Sequence, residues 1–186
     1  KKSLLMISTF FISFLLAIIM AFSFHYMDQT FHSPRDVEKM LNLPVLGSIP
    51  RKRFGRKLLT KGANRSNAYN NAYQNLAIHT HLLIQHKKIK SLLILSLSPA
   101  KGATTLIANM GIHLSNLGQK VLLVDANLRT PALHKKFMIP EDLGLSDVLK
   151  SKTEIDSAIW EAGPNLSVLG AGNSKLNPYI LLNSPE

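Results

Sequence analysis

Ser91-Leu92-Leu93-Ile94-Leu95-Ser96-Leu97, followed by Ser98-Pro99-Ala100-Lys101-Gly102-Ala103-Thr104-Thr105 and, further on, Val121-Leu122-Leu123-Val124-Asp125-Ala126-Asn127-Leu128-Arg129-Thr130-Pro131, decide how this chain folds. The first run is short and apolar, the mark of a strand buried on both faces of a parallel sheet. Residues 98–102 break it. Thr104 to Leu117 has helical periodicity and ends at Gly118, a residue suited to the position just past a helix. Lys120 to Val124 reads as a second buried strand, ending on Asp125. Strand, loop, helix and strand in that order make a βαβ unit, which implies a parallel sheet and a right-handed crossover. The expected class is α/β. Short helices at about 146–150 and 154–161 and an extended run, Leu166-Ser167-Val168-Leu169, follow.

Ligands of parallel α/β sheets bind beyond the carboxyl ends of the strands, where both loops fall. A phosphate loop needs small residues, so that backbone N–H groups turn inward, a lysine for the β/γ-phosphates and a hydroxyl for Mg²⁺. Gly102 and Thr104 stand where the second glycine and the hydroxyl belong. Ala103 stands at the lysine position and Leu97 at the first glycine. As a bare pattern the match fails, and the segment reads as a strand–helix turn. Asp125, at a strand end beside such a loop, has the chemistry to orient Mg²⁺ or its water, or to act as a base. It reads equally well as a cap on the next turn.

Upstream, the chain changes character. The 186 residues suffice for about one domain. Residues 3–24 carry no charged side chain and are long enough to cross a hydrocarbon core, with His25 and Tyr26 at the interface position. A signal peptide would have a shorter apolar region and a small-residue cleavage site, and a core helix of this length would show a polar stripe. The formal net charge of +11 is uneven: residues 1–66 hold 11 basic and 3 acidic side chains, residues 67–186 hold 11 and 8. Seven of the basic residues lie between Arg51 and Arg65 with no acid among them. The positive-inside rule puts this side in the cytoplasm, and the collar reads both as a surface for anionic lipid and as a basic linker. It lacks the interleaved aromatics that base stacking needs, so no nucleic-acid partner is expected. The absence of cysteine excludes a disulfide framework, a thiolate zinc site and a Cys nucleophile. Lys1-Lys2 opens the chain without an initiator Met, which reads as a fragment or a processed chain.

Ser33-Pro34-Arg35-Asp36 looks like a capped helix start, running to about Leu41, and Leu43 to Pro50 reads as an extended piece bounded by prolines. Residues 67–86 form a helix candidate, with Tyr69, Ala72, Tyr73, Leu76, Leu83 and Ile84 at three- and four-residue steps. His79 and His81 are two apart and face differently on it, so a partly exposed face is the better reading than a metal site.

Taken in order, these pieces resemble the bacterial tyrosine kinases, the cytoplasmic ATPase-like domains fused to chain-length regulators of capsule and exopolysaccharide export. The resemblance starts at the apolar helix and continues through Pro34–Glu38 and Leu43–Pro50. Asn71-Ala72-Tyr73-Gln74-Asn75-Leu76-Ala77 resembles a Glu-Ala-Tyr-Arg-x-Leu-Arg stretch, Ser96 to Thr105 the family's phosphate loop, and Val121 to Pro131 its Asp-x-Asp-x-Arg-x-Pro motif. Gly144 to Leu149, Leu169 to Gly172 and Asn177 to Ser184 also fit. The resemblance implies a P-loop NTPase-like parallel sheet flanked by helices and preceded by one transmembrane helix. It divides the chain into an anchor (1–26), a juxtamembrane segment (27–66) and a partial kinase-like domain (67–186). It implies ATP and Mg²⁺ as cofactors, Gly102, Ala103, Thr104 and Thr105 as the nucleotide-binding turn, Thr104 and Asp125 as metal ligands, and Asp125 as the catalytic residue. Departures sit at the same places. Ala103 replaces the phosphate-loop lysine, Ala100 a glycine, Lys101 a glutamate and Asn127 the second aspartate. Asn71, Gln74 and Ala77 replace the Glu, Arg and Arg of the stretch that packs subunits into rings, which weakens the expected homo-oligomer. Three readings follow: an inner-membrane regulator of polysaccharide chain length and export whose kinase-like domain is dead or weak, a working tyrosine kinase with an unusual loop, and a partitioning-type ATPase. The last lacks its early loop lysine, since Ser96, Leu97 and Ser98 occupy that region.

Overall fold

The computed structural model describes residues 2–27, 33–50, 68–97, 102–150, 153–173 and 177–182. The basic collar 51–65, Ala100 and Lys101 lie outside the described residues. The chain divides into two compact units, Lys1–Val45 and Leu46–Glu186.

In the first unit, helix α1 (Lys2–Met27) is apolar on every side. Its hydroxyls turn back on the helix: Ser8 Oγ donates to the Leu5 carbonyl at 2.9 Å and Ser23 Oγ to the Ile19 carbonyl at 2.9 Å. Bonded in this way, these two hydroxyls need no partner outside the helix, and the 20-residue stretch Leu5–Phe24 is long and apolar enough to cross a membrane. Helix α2 (Pro34–Leu41) starts as the sequence predicts. The Ser33 side chain accepts the Asp36 N–H at 3.3 Å, and the Asp36 carboxylate accepts the Ser33 N–H at 2.9 Å. Asn42, with φ of 51°, ends it.

Among the described residues, the second unit is a three-stranded sheet with α-helices packed against it. Its elements are α3 (Ala68–Lys87), α4 (Ala103–Asn116), β1 (Val121–Val124), α5 (Leu133–Phe137), α6 (Leu145–Val148), α7 (Ile155–Ala158), β2 (Ile159–Gly163), β3 (Leu166–Leu169) and α8 (Pro178–Leu182). The strand order is β1-β3-β2. β1 and β3 are parallel, with Val121 opposite Leu166 and Val124 opposite Leu169. β2 is antiparallel to β3, with an irregularity between Glu161 and Gly163. Ala108 of α4, Leu123 of β1, Leu133 of α5, and Leu166 and Val168 of β3 form the core. A second cluster, Ala77, Met110 and Leu114, joins α3 to α4.

Three expectations are corrected. Residues 91–97 join no ladder among the described residues, and Leu93, Leu95 and Leu97 are exposed. Only Ile94 reaches the core, packing on the α3–α4 cluster. An apolar run earns a buried strand only when ladder partners stand beside it, and here β1 pairs with β3 instead. β1 is not buried on both faces either: Leu123 points into the core formed with α4 and α5, while Leu122 and Val124 on its other face stay exposed. Residues 159–161 are strand rather than helix. Trp160 pairs with Val168 across the β2–β3 hairpin, and that pairing outweighs the local helical signal.

The tight seam between α4 and β1 gives a first prediction. A Cβ built on Gly111 would stand 2.8 Å from both methyl carbons of Leu123. Overpacking a core costs about 1–3 kcal/mol, and replacing a helical glycine by alanine returns about 1 kcal/mol. Gly111→Ala is therefore expected to cost about 1 kcal/mol of stability, read as a lower urea midpoint, and adding Leu123→Val is expected to recover most of it.

Candidate functional site

The parallel pair β1–β3 ends on Asp125 and Gly170. The Asp125 N–H donates to the Leu169 carbonyl at 2.9 Å, extending the ladder by a rung. The Asp125 carboxylate is fully engaged with backbone. Oδ1 accepts the Asn127 N–H at 3.2 Å, and Oδ2 accepts the N–H groups of Ala132 and Leu133 at 3.0 and 2.9 Å. Ala132 is the N-cap of α5, so the aspartate caps that helix from across the loop. Asn127 closes the same loop on itself: its Oδ1 accepts the Thr130 N–H at 3.1 Å and its Nδ2 donates to Thr130 Oγ1 at 3.0 Å.

Helix α4 returns along β1, with Ala108 and Ile112 packed on the cluster that holds Leu123. Its N-terminus therefore lies toward the carboxyl edge of the sheet. Gly102 is the N-cap, at φ of +91°, and no side chain caps the helix. Among the described residues no atom lies within 4 Å of the position a Cβ would take there. The first helical bond is from the Leu106 N–H to the Gly102 carbonyl, at 2.9 Å. The N–H groups of Ala103, Thr104 and Thr105 precede it and have no helix carbonyl to meet. No acidic residue occupies the first turn. A 14-residue helix with an uncapped, acid-free start suits phosphate. Thr104 is half-buried and Thr105 is buried. Ala103 brings no cation. Among the described residues no hydrogen bond joins Gly102–Thr105 to Asp125, so the two halves of the predicted site share an edge without touching.

Two features behind the turn were not read from the sequence. Fully buried Asn109 donates Nδ2 to the Thr105 carbonyl at 2.8 Å and also bonds the Tyr73 hydroxyl. The Tyr73 and Tyr69 hydroxyls meet at 3.2 Å, with their rings edge-to-face at 5.0 Å. Burial, and then the Tyr69 hydroxyl, push the Tyr73 phenol far above its usual range, so it stays neutral. The chain Thr105–Asn109–Tyr73–Tyr69 ties the first turn of α4 to α3. An asparagine in mid-helix, four residues past Thr105, is the signal that marks it. Burial also holds His113 on α4 below the usual imidazole range. The second feature is His134, buried on α5, whose Nε2 meets Glu141 Oε2 at 3.3 Å. On α3, Asn71 and Gln74 are exposed, whereas Ala77 is fully buried against Met110 and Leu114.

No family model matches the chain. The Bacillus subtilis tyrosine-protein kinase YwqD is 33% identical over 113 residues, 60% of this chain and 48% of that protein. The Acinetobacter johnsonii tyrosine-protein kinase ptk is 26% identical over 198 residues, 100% of this chain and 27% of that protein. The kinase domain of the Escherichia coli tyrosine kinase ETK superposes with a TM-score of 0.69 at 25% identity, over 81% of this chain and 63% of that one. By sequence and by fold, the chain is similar to the bacterial tyrosine kinases. It spans about half the length of the Bacillus relative (48%). The small sheet and its helices are accordingly a bacterial tyrosine-kinase P-loop fold with one apolar helix ahead of it. Tyrosine kinases in general use ATP and a divalent metal. The open start of α4 fits the phosphates of such a nucleotide, and Ala103 leaves out the cation that would face them.

Proposed function

We propose that this chain is a membrane-anchored regulator of capsular or exopolysaccharide chain length and export, with a tyrosine-kinase-like domain that binds nucleotide poorly and transfers phosphate weakly or not at all. One observation carries the reading: at the first turn of α4, where transferring phosphoryl charge needs a cation, stands the methyl group of Ala103. The second motif supports it. Asp125 spends both carboxylate oxygens on three backbone amides, and Asn127 spends its side chain on Thr130. ATP, when bound, supplies the phosphoryl group. The N–H groups of Ala103, Thr104 and Thr105 would hold its phosphates, and Thr104 Oγ1 with Asp125 would hold Mg²⁺. On this reading α1 anchors the chain in the inner membrane with the domain in the cytoplasm, the basic segment 51–65 lies against anionic lipid, and the partners are the polysaccharide polymerisation and export machinery. Self-association is weakened, because Asn71 and Gln74 offer no charge and Ala77 is committed to the core.

The relatives favour a second reading, an active autophosphorylating tyrosine kinase. One measurement separates the two: the full chain in lipid vesicles is given labelled ATP and Mg²⁺, and bound nucleotide and phosphotyrosine are read. The regulator reading expects weak binding and phosphotyrosine at background. Robust Mg²⁺-dependent phosphotyrosine overturns it.

A further inference from the structure

We propose that α2 docks on the bilayer surface by its apolar face, as an interfacial helix, and that apolar contact rather than charge holds it there. This rests on the reading of α1 as a membrane anchor. An eight-residue helix is too short to persist on backbone bonds alone. Yet α2 is sealed at both ends: by the Ser33–Asp36 box, by Asn42 in the left-handed region, and by Glu38 Oε1, which accepts the Val45 N–H at 2.9 Å. What it lacks among the described residues is a covering partner, since none of its own residues is buried. At 100° per residue Val37, Met40 and Leu41 fall on one side, and Arg35 and Lys39 fall on the other. Met40 and Leu43 are 73% and 61% exposed.

The tether names the occupant. Leu5–Phe24 matches the hydrocarbon thickness, and α1 ends at Met27. Ser33 lies six residues further on, within about 22 Å of Met27 even if the connection were fully extended. The apolar face of α2 is thus confined beside an apolar phase at high effective concentration. Charge adds little. Arg35 and Lys39 are matched by Asp36 and Glu38, and the two basic side chains lie opposite the apolar stripe. This separates α2 from the basic segment 51–65, whose hold on lipid would be electrostatic and salt-sensitive.

The chain has no cysteine, so single spin labels are introduced cleanly. Labels at Met40→Cys, Arg35→Cys and Leu15→Cys in the full chain are read by oxygen and nickel-chelate accessibility. The vesicles are phosphatidylcholine alone, and phosphatidylcholine with about one-third phosphatidylglycerol, each with and without added salt. The expected result is a several-fold higher oxygen-to-nickel ratio at position 40 than at 35, in both lipids and at either salt level. Equal ratios at 35 and 40 with Leu15 in lipid overturn the docking and leave the anchor standing. Water exposure at 15 overturns both. A ratio at 40 that needs the anionic lipid and falls with salt overturns the apolar drive. A position 40 shielded from both reagents means protein covers the face, and the proposal fails.

Discussion

Ala103→Lys is expected to tighten ATP binding by roughly 10- to 100-fold. The substitution puts an ammonium group at the first residue of α4, where the helix start presents three N–H groups without intrahelical carbonyl partners and the first turn holds no acidic side chain. A hydrogen bond to a charged group contributes about 1.5–3 kcal/mol, and each 1.4 kcal/mol is a tenfold change in affinity, which gives the range quoted. The cost to the fold is small, about 0.3–1 kcal/mol for a cation beside a helix N-terminus. Lysine and alanine are both good helix formers, and position 103 is only half-buried. Ala103→Met serves as the control, with similar reach and no charge, and it should leave affinity near that of the parent. Titration of a fluorescent ATP analogue at fixed Mg²⁺ checks both. Equal affinities for Ala103→Lys and the parent would mean that the open turn is not a phosphate site. Phosphotyrosine should recover far less than affinity, because Asp125 and Asn127 remain tied into their own loop.

The parts legible in the sequence are those whose signal is local. The α2 cap could be read because Ser33, Pro34 and Asp36 satisfy each other within four residues. The apolar length of α1 needed only counting. The residues 91–97 misled because periodicity reports what a segment could bury and says nothing of what stands beside it; Leu93 and Leu95 face open space. The β2–β3 hairpin was hidden because Ile159 and Trp160 follow a helical turn without a break, and only Leu169 and Val168 across the ladder make them strand. At the site, Ala103 was plain, since a missing lysine needs no geometry. Asn109 was not, because its role depends on α3 bringing Tyr73 against α4. Asp125 stood between cap and catalyst, because both roles want the same residue at the same strand end.

Asp125→Ala decides between those two roles, since they predict opposite signs for stability. An aspartate kept for chemistry or for a metal is commonly neutral or stabilising to remove, because the site bears strain for its function. An aspartate kept as a cap is costly to remove. Here three amides would lose their acceptor at once, those of Asn127, Ala132 and Leu133. Leu133 is 2% exposed and sits in the core with Ala108, Leu123, Leu166 and Val168, so its N–H has little access to water as a substitute. One hydrogen bond to a charged group contributes about 1.5–3 kcal/mol. Bonds that share one carboxylate do not add fully, so the expected loss is about 3–5 kcal/mol. At about 2–4 °C per kcal/mol for a chain of this size, the melting temperature in vesicles should fall by about 6–20 °C. Amide exchange should quicken first across 126–139, where α5 would lose its cap. Asp125→Asn, which keeps one acceptor oxygen, should fall between the parent and Asp125→Ala. Asn127→Ala, in an exposed part of the loop, should cost about 0.5–1.5 kcal/mol. An Asp125→Ala protein that melts with the parent, while losing whatever nucleotide binding the parent shows, would return Asp125 to the metal site.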